Sequence, residues 1–218
     1  TGLLQWREQD TAHSALEGDM HWAERTIENR LHGHLDFLSE LARDQEFLQL
    51  TYEAFQVRAA RYVQEHPEIG AIVWVDTEGR VEWVAPNESS LTFVGEQLPG
   101  MRQGALQEAL RTRLSVFSPD YPDVKQQRAQ DIIWPVQRSS SDLGAFIAMQ
   151  SLEQLIRNTL PATFTARYSL TLLDEYDREM YTNSSVTPTD RQISGTIRID
   201  LPNNRLGLNI VAYRGGGA

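Results

Sequence analysis

The chain has no cysteine, one lysine and no long apolar run, and each of these absences excludes a class of function. Without cysteine there are no disulfides, no zinc–thiolate sites and no cysteine nucleophiles. The single lysine, Lys125, lies in the polar run 123–128, which is typical of a solvated loop, so Schiff-base chemistry and lysine-dependent phosphate loops are disfavoured. No apolar stretch reaches the roughly 18 to 20 residues that span a bilayer.

Composition nevertheless supports a folded chain with an acidic surface. Of the 218 residues, 40% are hydrophobic, which is enough to build a core, and the net charge is −10. This charge disfavours binding to nucleic acid, whose phosphates need a basic face, and adhesion to anionic lipid. The sequence contains no Gly-x-Ser-x-Gly, His-Glu-x-x-His or glycine-rich phosphate motif. We therefore expect no catalytic residues and no cofactor.

The N-terminal part is dominated by helical periodicity. Apolar residues recur at steps of three and four from Leu16 to Ala42, which predicts an amphipathic stalk helix whose apolar seam favours a homodimer. A second helical pattern follows from Phe47 and ends at Pro67, with a break expected around residues 43–46. His32 and His34 are two residues apart, a spacing that separates the rings on a helix, so we interpret them as solvated or packed in the dimer seam rather than as metal ligands.

Strand patterns follow the helices. Runs 71–75 and 80–85, joined by a glycine-containing turn, predict a first hairpin, and runs 131–137 and 143–150 predict a second. A short helix over 102–113 and a strand over 114–117 lie between the hairpins, followed by a turn cluster at 118–123. Ser151 and Gln154 resemble a capping box that begins another helix. Four further strand-like runs over 167–173, 179–183, 193–200 and 206–213 form a smaller module.

These elements predict an α+β chain with three parts: stalk and packing helices over 1–66, a larger sheet module over 67–150, and a linker helix with a smaller sheet module over 151–218. Because the chain starts inside a helical pattern and ends in Gly215-Gly-Gly-Ala218, we expect it to be a piece of a longer protein.

The entry into the first hairpin, residues 61–86, resembles extracytoplasmic PAS-like sensor domains of the CHASE and Cache type. The closing pattern Ile132-Ile-Trp-Pro-Val136 with Leu143-Gly-Ala-Phe-Ile-Ala148 resembles them too. The resemblance covers nearly the whole chain in the order of its elements. It implies two PAS-like antiparallel modules: a larger membrane-distal one that binds the ligand, and a smaller membrane-proximal one. It also implies a periplasmic location between membrane segments that lie outside this chain, in a histidine kinase or a cyclic-di-GMP enzyme such as a diguanylate cyclase. The full amino-acid-binding signature of Cache receptors is not found, so the resemblance does not specify the ligand.

Three tryptophans are candidates for lining a ligand pocket. Trp74, Trp83 and Trp134 lie on three predicted strands of one sheet, where aromatic rings can either stack on a ligand or fill a core. Trp83 is the best pocket candidate because its strand alternates cleanly, with Val81, Trp83 and Ala85 on one face.

Polar candidates flank the helix between the hairpins. Arg102, Arg111 and Arg113 could grip a carboxylate or phosphate, or could simply be surface arginines. Ser118, Asp120 and Tyr121 could form a polar rim or could only shape a turn. The candidate ligand-binding residues are therefore Trp83, Arg102, Arg111, Ser118, Tyr121 and Trp134.

A small hydrolase is disfavoured because no nucleophile–base pair is discernible in the sequence, and two further hypotheses follow from these observations. The first is a signal-sensing domain of a bacterial membrane receptor that binds a small molecule in the distal module and relays binding through the stalk helix. The second is a protein-interaction or dimerisation module without a small-molecule ligand. An open cavity with polar groups in the distal module would favour the first, and a closed, fully packed core would favour the second.

Overall fold

A helix of 45 residues, α1 (Gly2–Glu46), begins the chain in the computed structural model, which describes residues 2–184 and 192–213. The helix starts well before Leu16, the first residue of the apolar pattern. The seam expected to pair two stalks is buried within the single chain. Its buried members are Leu16, Ala23, Ile27, Leu31, Leu35, Leu38 and Ala42. The seam is therefore not available to pair two stalks, because it already packs within its own chain, and homodimerisation itself stays a prediction.

The predicted break separates α1 from α2 (Tyr52–Glu65), but the second helix begins five residues later than its pattern suggested. Leu48 adopts a left-handed conformation (φ 56°), which ends the first helix. Thr51 then caps the second: its side-chain oxygen accepts a hydrogen bond from the backbone N–H of Ala54 at 3.1 Å.

Replacing this cap tests its contribution to stability. We expect Thr51→Ala to lower the free energy of unfolding by about 1 kcal/mol, because one N–H of the first helical turn loses its partner. Urea denaturation followed by circular dichroism measures this loss. Thr51→Ser retains an acceptor oxygen and should stay within about 0.5 kcal/mol of the wild type. Equal losses for both variants would contradict the capping role.

The described residues divide into two compact units. The larger unit comprises Leu31–Asn158 and Pro202–Asn204. The smaller unit comprises the described parts of Thr1–Arg30, Thr159–Leu201 and Arg205–Ala218. Each unit contains one antiparallel sheet.

The larger unit contains a six-stranded sheet with the strand order β2-β1-β6-β5-β3, and β4 pairs with β5. Five strands were expected; the sixth is the two-residue strand β4, which formed within the predicted turn cluster because this segment runs alongside β5. The elements are β1 (Ile69–Val75), β2 (Val81–Ala85), α3 (Gly100–Thr112), β3 (Val116–Phe117), β4 (Tyr121–Pro122), β5 (Arg128–Arg138) and β6 (Ser141–Ser151).

One face of this sheet packs against α3. The helix buries Ala105, Leu106, Ala109 and Leu110, the four residues that its pattern placed inward. Alternate residues of the central strands complete this core; they are Ala71, Val73, Val75, Ala145, Ile147 and Met149. The centre of the sheet face that packs against α3 is therefore apolar, and the polar side chains of this face lie at its margin.

The opposite face carries a row of aromatic side chains and packs against α2. Trp83 pairs with Trp74 across β2 and β1, and Phe146 lies between Trp74 and Trp134 in the next pairings. Phe55 of α2 contacts this row, with ring centroids 5.3 Å from Trp83 and 5.9 Å from Phe146.

The remaining elements agree with the predicted linker helix and smaller sheet. After α4 (Leu152–Thr159) and the unpredicted one-turn helix α5 (Ala162–Thr165), four strands pair in the order β8-β7-β10-β9. The hydroxyl of Ser151 accepts a hydrogen bond from the backbone N–H of Gln154 at 3.2 Å, as the capping pattern predicted. The strands are β7 (Tyr168–Leu173), β8 (Glu179–Thr182), β9 (Ser194–Leu201) and β10 (Asn204–Ala212).

The α+β prediction, with a long first helix and two antiparallel sheets, is thus confirmed. None of the helices within 2–184 and 192–213 combines the length and the apolar character needed to cross a membrane.

Candidate functional site

The loop between β2 and α3 is held against the sheet edge by backbone hydrogen bonds. The N–H of Val81 donates to the carbonyl of Glu96 at 2.9 Å, and the N–H of Gly95 donates back to Val81 at 2.8 Å. A further bond joins the N–H of Leu98 to the carbonyl of Gly79 at 2.9 Å. These contacts fix a segment predicted only as loop, and they place its side chains beside the start of α3.

A cavity of about 370 Å³, here called the main cavity, lies between this loop, the start of α3 and the segment around β4. Its volume is within the range of small-molecule sites. Most of its wall is apolar, and the charged residues that line it are Glu96, Arg102 and Asp123. Tyr121, Gly100 and the apolar members complete the lining; the apolar members are Leu91, Pro99, Met101, Pro119, Pro122, Val124 and Met149.

Arg102 is held at the cavity wall by a buried carboxylate. Its Nε donates to Oδ2 of Asp131 at 2.7 Å and its Nη2 donates to Oδ1 at 3.3 Å, while Asp131 is fully buried. Tyr121 completes the group: its hydroxyl donates to Oδ1 of Asp131 at 2.5 Å, and its ring centroid lies 4.3 Å from the guanidinium carbon of Arg102. These three residues form what we call the polar triad, whose members hold one another in place.

Burial and charge fix the protonation of the polar triad. Burial raises the pKa of the Tyr121 hydroxyl, and the negative charge of Asp131 raises it further, so this group remains a donor. Burial alone would lower the pKa of Arg102, but Asp131, Tyr121 and Glu96 together outweigh this effect, and the pKa of Arg102 lies above its ordinary value. The guanidinium is therefore charged at every physiological pH.

Ser118 holds the backbone of Asp131 in register. The N–H of Ser118 donates to the Asp131 carbonyl at 2.9 Å, and the Asp131 N–H donates to the Ser118 hydroxyl oxygen at 2.9 Å. Ser118 is itself buried, so it supports the triad rather than contacting the cavity.

The two acidic residues of the main cavity differ in the hydrogen bonds that they already accept. Oδ1 of Asp123 accepts backbone hydrogen bonds from Lys125 at 2.8 Å and Gln127 at 3.0 Å, which shapes the loop after β4. Oε2 of Glu96 accepts a hydrogen bond from Thr92. A carboxylate also retains lone pairs for further donors, so the cavity offers one cation and two anions to a bound molecule.

The sequence-predicted candidates are thus divided between the two faces of the sheet. Arg102 and Tyr121 line the main cavity, with Ser118 directly behind them. Trp83 and Trp134 lie on the face of the sheet opposite α3, and neither is among the residues that line this cavity. The pairing of β1 with β2 shifts between Trp74 and Val75, so Val81 joins the α3 core while Trp83 points to the other face. The predicted clean alternation of this strand is therefore wrong, because the bulge changes which face each residue occupies.

The other arginines lie away from the main cavity. Arg111 is exposed and pairs with Glu108 one turn earlier on α3, with Nη2 and Oε1 2.7 Å apart. Nη2 of Arg113 donates to the carbonyl of Ser140 at 3.1 Å. Asp120 pairs with Arg128 and is likewise not among the lining residues.

Asp131 is the important residue that sequence reasoning missed. It begins the apolar run of β5, and strand alternation places it on the same face as Ile133 and opposite Met149 in the pairing. A carboxylate on the inward face of a buried strand was the available signal, because such a charge needs a partner.

A second cavity of about 340 Å³, here called the side cavity, adjoins the first. The two cavities share Leu91, Asp123 and Met149. The side cavity is more polar, with Lys125, Gln127, Ser151 and Gln154 among its lining residues.

The buried position of His34 corrects its interpretation as a solvated or dimer-seam residue. His34 lies inside the larger unit, where its Nδ1 is 2.5 Å from the hydroxyl of Tyr62. Its Nε2 is 3.7 Å from Oε2 of the fully buried Glu68. This cluster ties α1 to α2 and to the start of β1.

Comparisons with known proteins agree with the observed fold. No model of a known protein family matches the sequence, and a search among curated proteins finds no match either. Solved structures do match. The ligand-binding domain of the Pseudomonas fluorescens chemoreceptor CtaA in complex with L-alanine has a TM-score of 0.70 at 14% identity, and the match covers 94% of this chain and 99% of that one.

Two further structures extend the likeness. The ligand-binding domain of the Pseudomonas aeruginosa amino acid chemoreceptor PctC in complex with GABA has a TM-score of 0.65 at 12% identity, covering 93% of this chain and all of that one. An extracellular ligand binding receptor from Desulfohalobium retbaense has a TM-score of 0.62 at 14% identity; the match covers 87% of this chain but spans only 39% of that protein. The chain therefore has the fold of chemoreceptor ligand-binding domains, and the resemblance to extracytoplasmic PAS-like sensors is confirmed at the level of the fold.

Proposed function

We propose that this chain is the extracytoplasmic ligand-sensing domain of a bacterial membrane receptor and that its ligand occupies the main cavity. The observation that carries the proposal is the open cavity beside the buried polar triad. A charged arginine held rigidly at an otherwise apolar wall is the arrangement expected of a small-molecule site. The same cavity argues against the alternative of a closed interaction module. The role proposed is binding, not catalysis.

The charges around the cavity suggest a ligand that carries both an acid and an amine. Nε and Nη2 of Arg102 are committed to Asp131, whereas Nη1 makes no hydrogen bond with any described residue. This nitrogen can donate to a carboxylate. Glu96 and Asp123 can accept from an ammonium group, and the apolar wall can hold a short side chain. The structural neighbours in complex with L-alanine and GABA bind molecules of this class. We therefore propose a free amino acid or a similar small zwitterion.

A binding experiment with matched arginine variants tests this proposal. We expect at least one member of an amino-acid panel to raise the Tm of the wild type. Arg102→Gln should lower the affinity for that ligand by about 10- to 100-fold, because a charge-assisted hydrogen bond is lost. Isothermal titration calorimetry measures the affinity, and circular dichroism checks that the variant is folded.

Arg111→Gln is the matched control, since Arg111 lies on the same helix but pairs only with Glu108 at the surface. Its affinity should equal that of the wild type. Indifference of the wild type to the whole panel and to other amine–acid compounds would overturn the proposal. Unchanged affinity of Arg102→Gln would remove Arg102 from the site.

The receptor context extends this proposal beyond the chain. A kinase, a cyclic-di-GMP enzyme or a chemotaxis module would supply the output, in a part of the receptor outside these residues. Homodimerisation also remains a proposal, but it needs a surface other than the buried seam. Exposed apolar side chains do remain at the start of α1, where Leu3, Leu4 and Trp6 are 75%, 65% and 64% exposed.

A further inference from the structure

Leu91 lies at the boundary between the main cavity and the side cavity. It lines both of them, together with Asp123 and Met149. Asp123 is committed to two backbone N–H groups of its own loop, and Met149 belongs to the central strand β6. Leu91 is the shared residue that comes from the loop between β2 and α3, so its side chain can change without altering the sheet.

A glycine on β1 creates the space that Leu91 occupies. A Cβ atom added to Gly70 would lie 2.4 Å from Cδ1 of Leu91, far inside van der Waals contact. Gly70 lies where the pairing of β1 with β6 shifts between Ile69 and Ala71. Because Gly70 has no side chain at this shift in strand pairing, the Leu91 side chain can pack there, between the two cavities.

The two cavities suit different chemical groups. The main cavity combines Arg102 with an apolar wall and is large enough for one amino acid. The side cavity is lined by the amide residues Gln127 and Gln154 and by Ser151, groups that can hydrogen-bond to a peptide unit. A molecule that extended from the first cavity into the second would have to pass Leu91.

We propose that Leu91 is a specificity-determining residue that limits the ligand to the length of a single amino acid and closes the side cavity to longer ones. This inference rests on the proposed function. Without the Leu91 side chain the two cavities become one elongated site. A dipeptide would then place its C-terminal carboxylate at Arg102 and its N-terminal residue in the side cavity.

The test compares amino acids with dipeptides in wild type and Leu91→Ala. For wild type we expect binding of single amino acids and at least tenfold weaker binding of the corresponding dipeptides. Leu91→Ala should gain about tenfold or more in dipeptide affinity, and it should bind the single amino acid only a few-fold more weakly through lost apolar contact. Isothermal titration calorimetry with L-alanine, L-leucine, the amino acid of the panel that binds most tightly and the corresponding dipeptides measures these affinities for both proteins.

Two further variants sharpen the test. Val94→Ala removes an exposed apolar side chain from the same loop outside both cavities, so the preference for single amino acids should be unchanged. Gly70→Ala displaces the Leu91 side chain. It should weaken the binding of L-leucine more than that of L-alanine, because the displaced side chain occupies space that the larger ligand needs.

The outcomes separate this inference from the proposed function. If wild type binds amino acids but Leu91→Ala keeps the same ratio of dipeptide to amino-acid affinity, the role of Leu91 is refuted and the proposed function stands. If the wild type binds no amino acid of the panel and no other amine–acid compound, the proposed function fails and the inference falls with it. A wild type that already binds dipeptides more tightly than single amino acids would also refute the proposed role of Leu91 in limiting ligand length.

Discussion

Asp131→Ala should lower the free energy of unfolding of the larger unit by about 3 to 5 kcal/mol, because it leaves a buried guanidinium without its counter-charge. Asp131 is fully buried and the side chain of Arg102 is only 11% exposed, so water cannot replace the lost partner. The substitution also removes the acceptor of the Tyr121 hydroxyl. Urea denaturation with a probe of secondary structure measures the loss.

The matched control is Glu108→Ala, which breaks the exposed pair between Glu108 and Arg111 on the same helix. Surface pairs of this kind contribute about 0.5 kcal/mol or less, so the control should stay near the wild type. Similar losses for both variants would contradict the view that the polar triad stabilises this unit. Asp131→Asn provides a graded case, since it keeps an acceptor oxygen for Tyr121 but removes the charge that Arg102 needs.

Phe55→Ala should lower the free energy of unfolding by a similar amount, about 3 to 5 kcal/mol, through the loss of apolar packing alone. Phe55 is fully buried and contacts both Trp83 and Phe146, so its removal leaves a cavity between α2 and the sheet. The same denaturation experiment measures the effect, and a shift of tryptophan emission should accompany it because Trp83 loses a neighbour.

Val57→Ala on the same helix is the control for Phe55→Ala. Val57 is 61% exposed, so its truncation should change stability by no more than about 0.5 kcal/mol. A loss of less than about 1 kcal/mol for Phe55→Ala would show that α2 does not hold the aromatic row in place.

Local signals in the sequence were sufficient for most of the elements. Both hairpins followed from alternating strands around turns, and the inward face of α3 followed from its spacing. The two-residue strand β4 could not be predicted because it forms only by pairing with β5, a contact that no local pattern encodes. The apolar stripe of α1 was visible, but whether it packed within the chain or against a second copy depended on tertiary structure. His34 follows Leu31 by three residues and precedes Leu38 by four, which places it on that stripe, yet its polar character suggested solvent.

The candidate site was only partly predictable for a related reason. Arg102 and Tyr121 were accessible to sequence reasoning because they flank elements that were correctly placed. Trp83 was the preferred pocket candidate because the sequence of its strand alternates regularly. A bulge in β2, which leaves no mark in the sequence, instead decides the face on which Trp83 lies. Asp131 and Leu91 act through contacts 29 and 21 residues away in sequence, with Arg102 and Gly70 respectively.

The alternation of β6 has a mechanical consequence for a receptor. Met149 borders the main cavity, whereas Phe146 on the same strand touches the helix layer on the reverse side of the sheet. Only the thickness of one polypeptide backbone lies between the cavity proposed to hold the ligand and the layer that contains α2. A displacement of this strand by a few tenths of an ångström would therefore move side chains on both faces of the sheet at once. No chain of intervening side chains would be needed to transmit it.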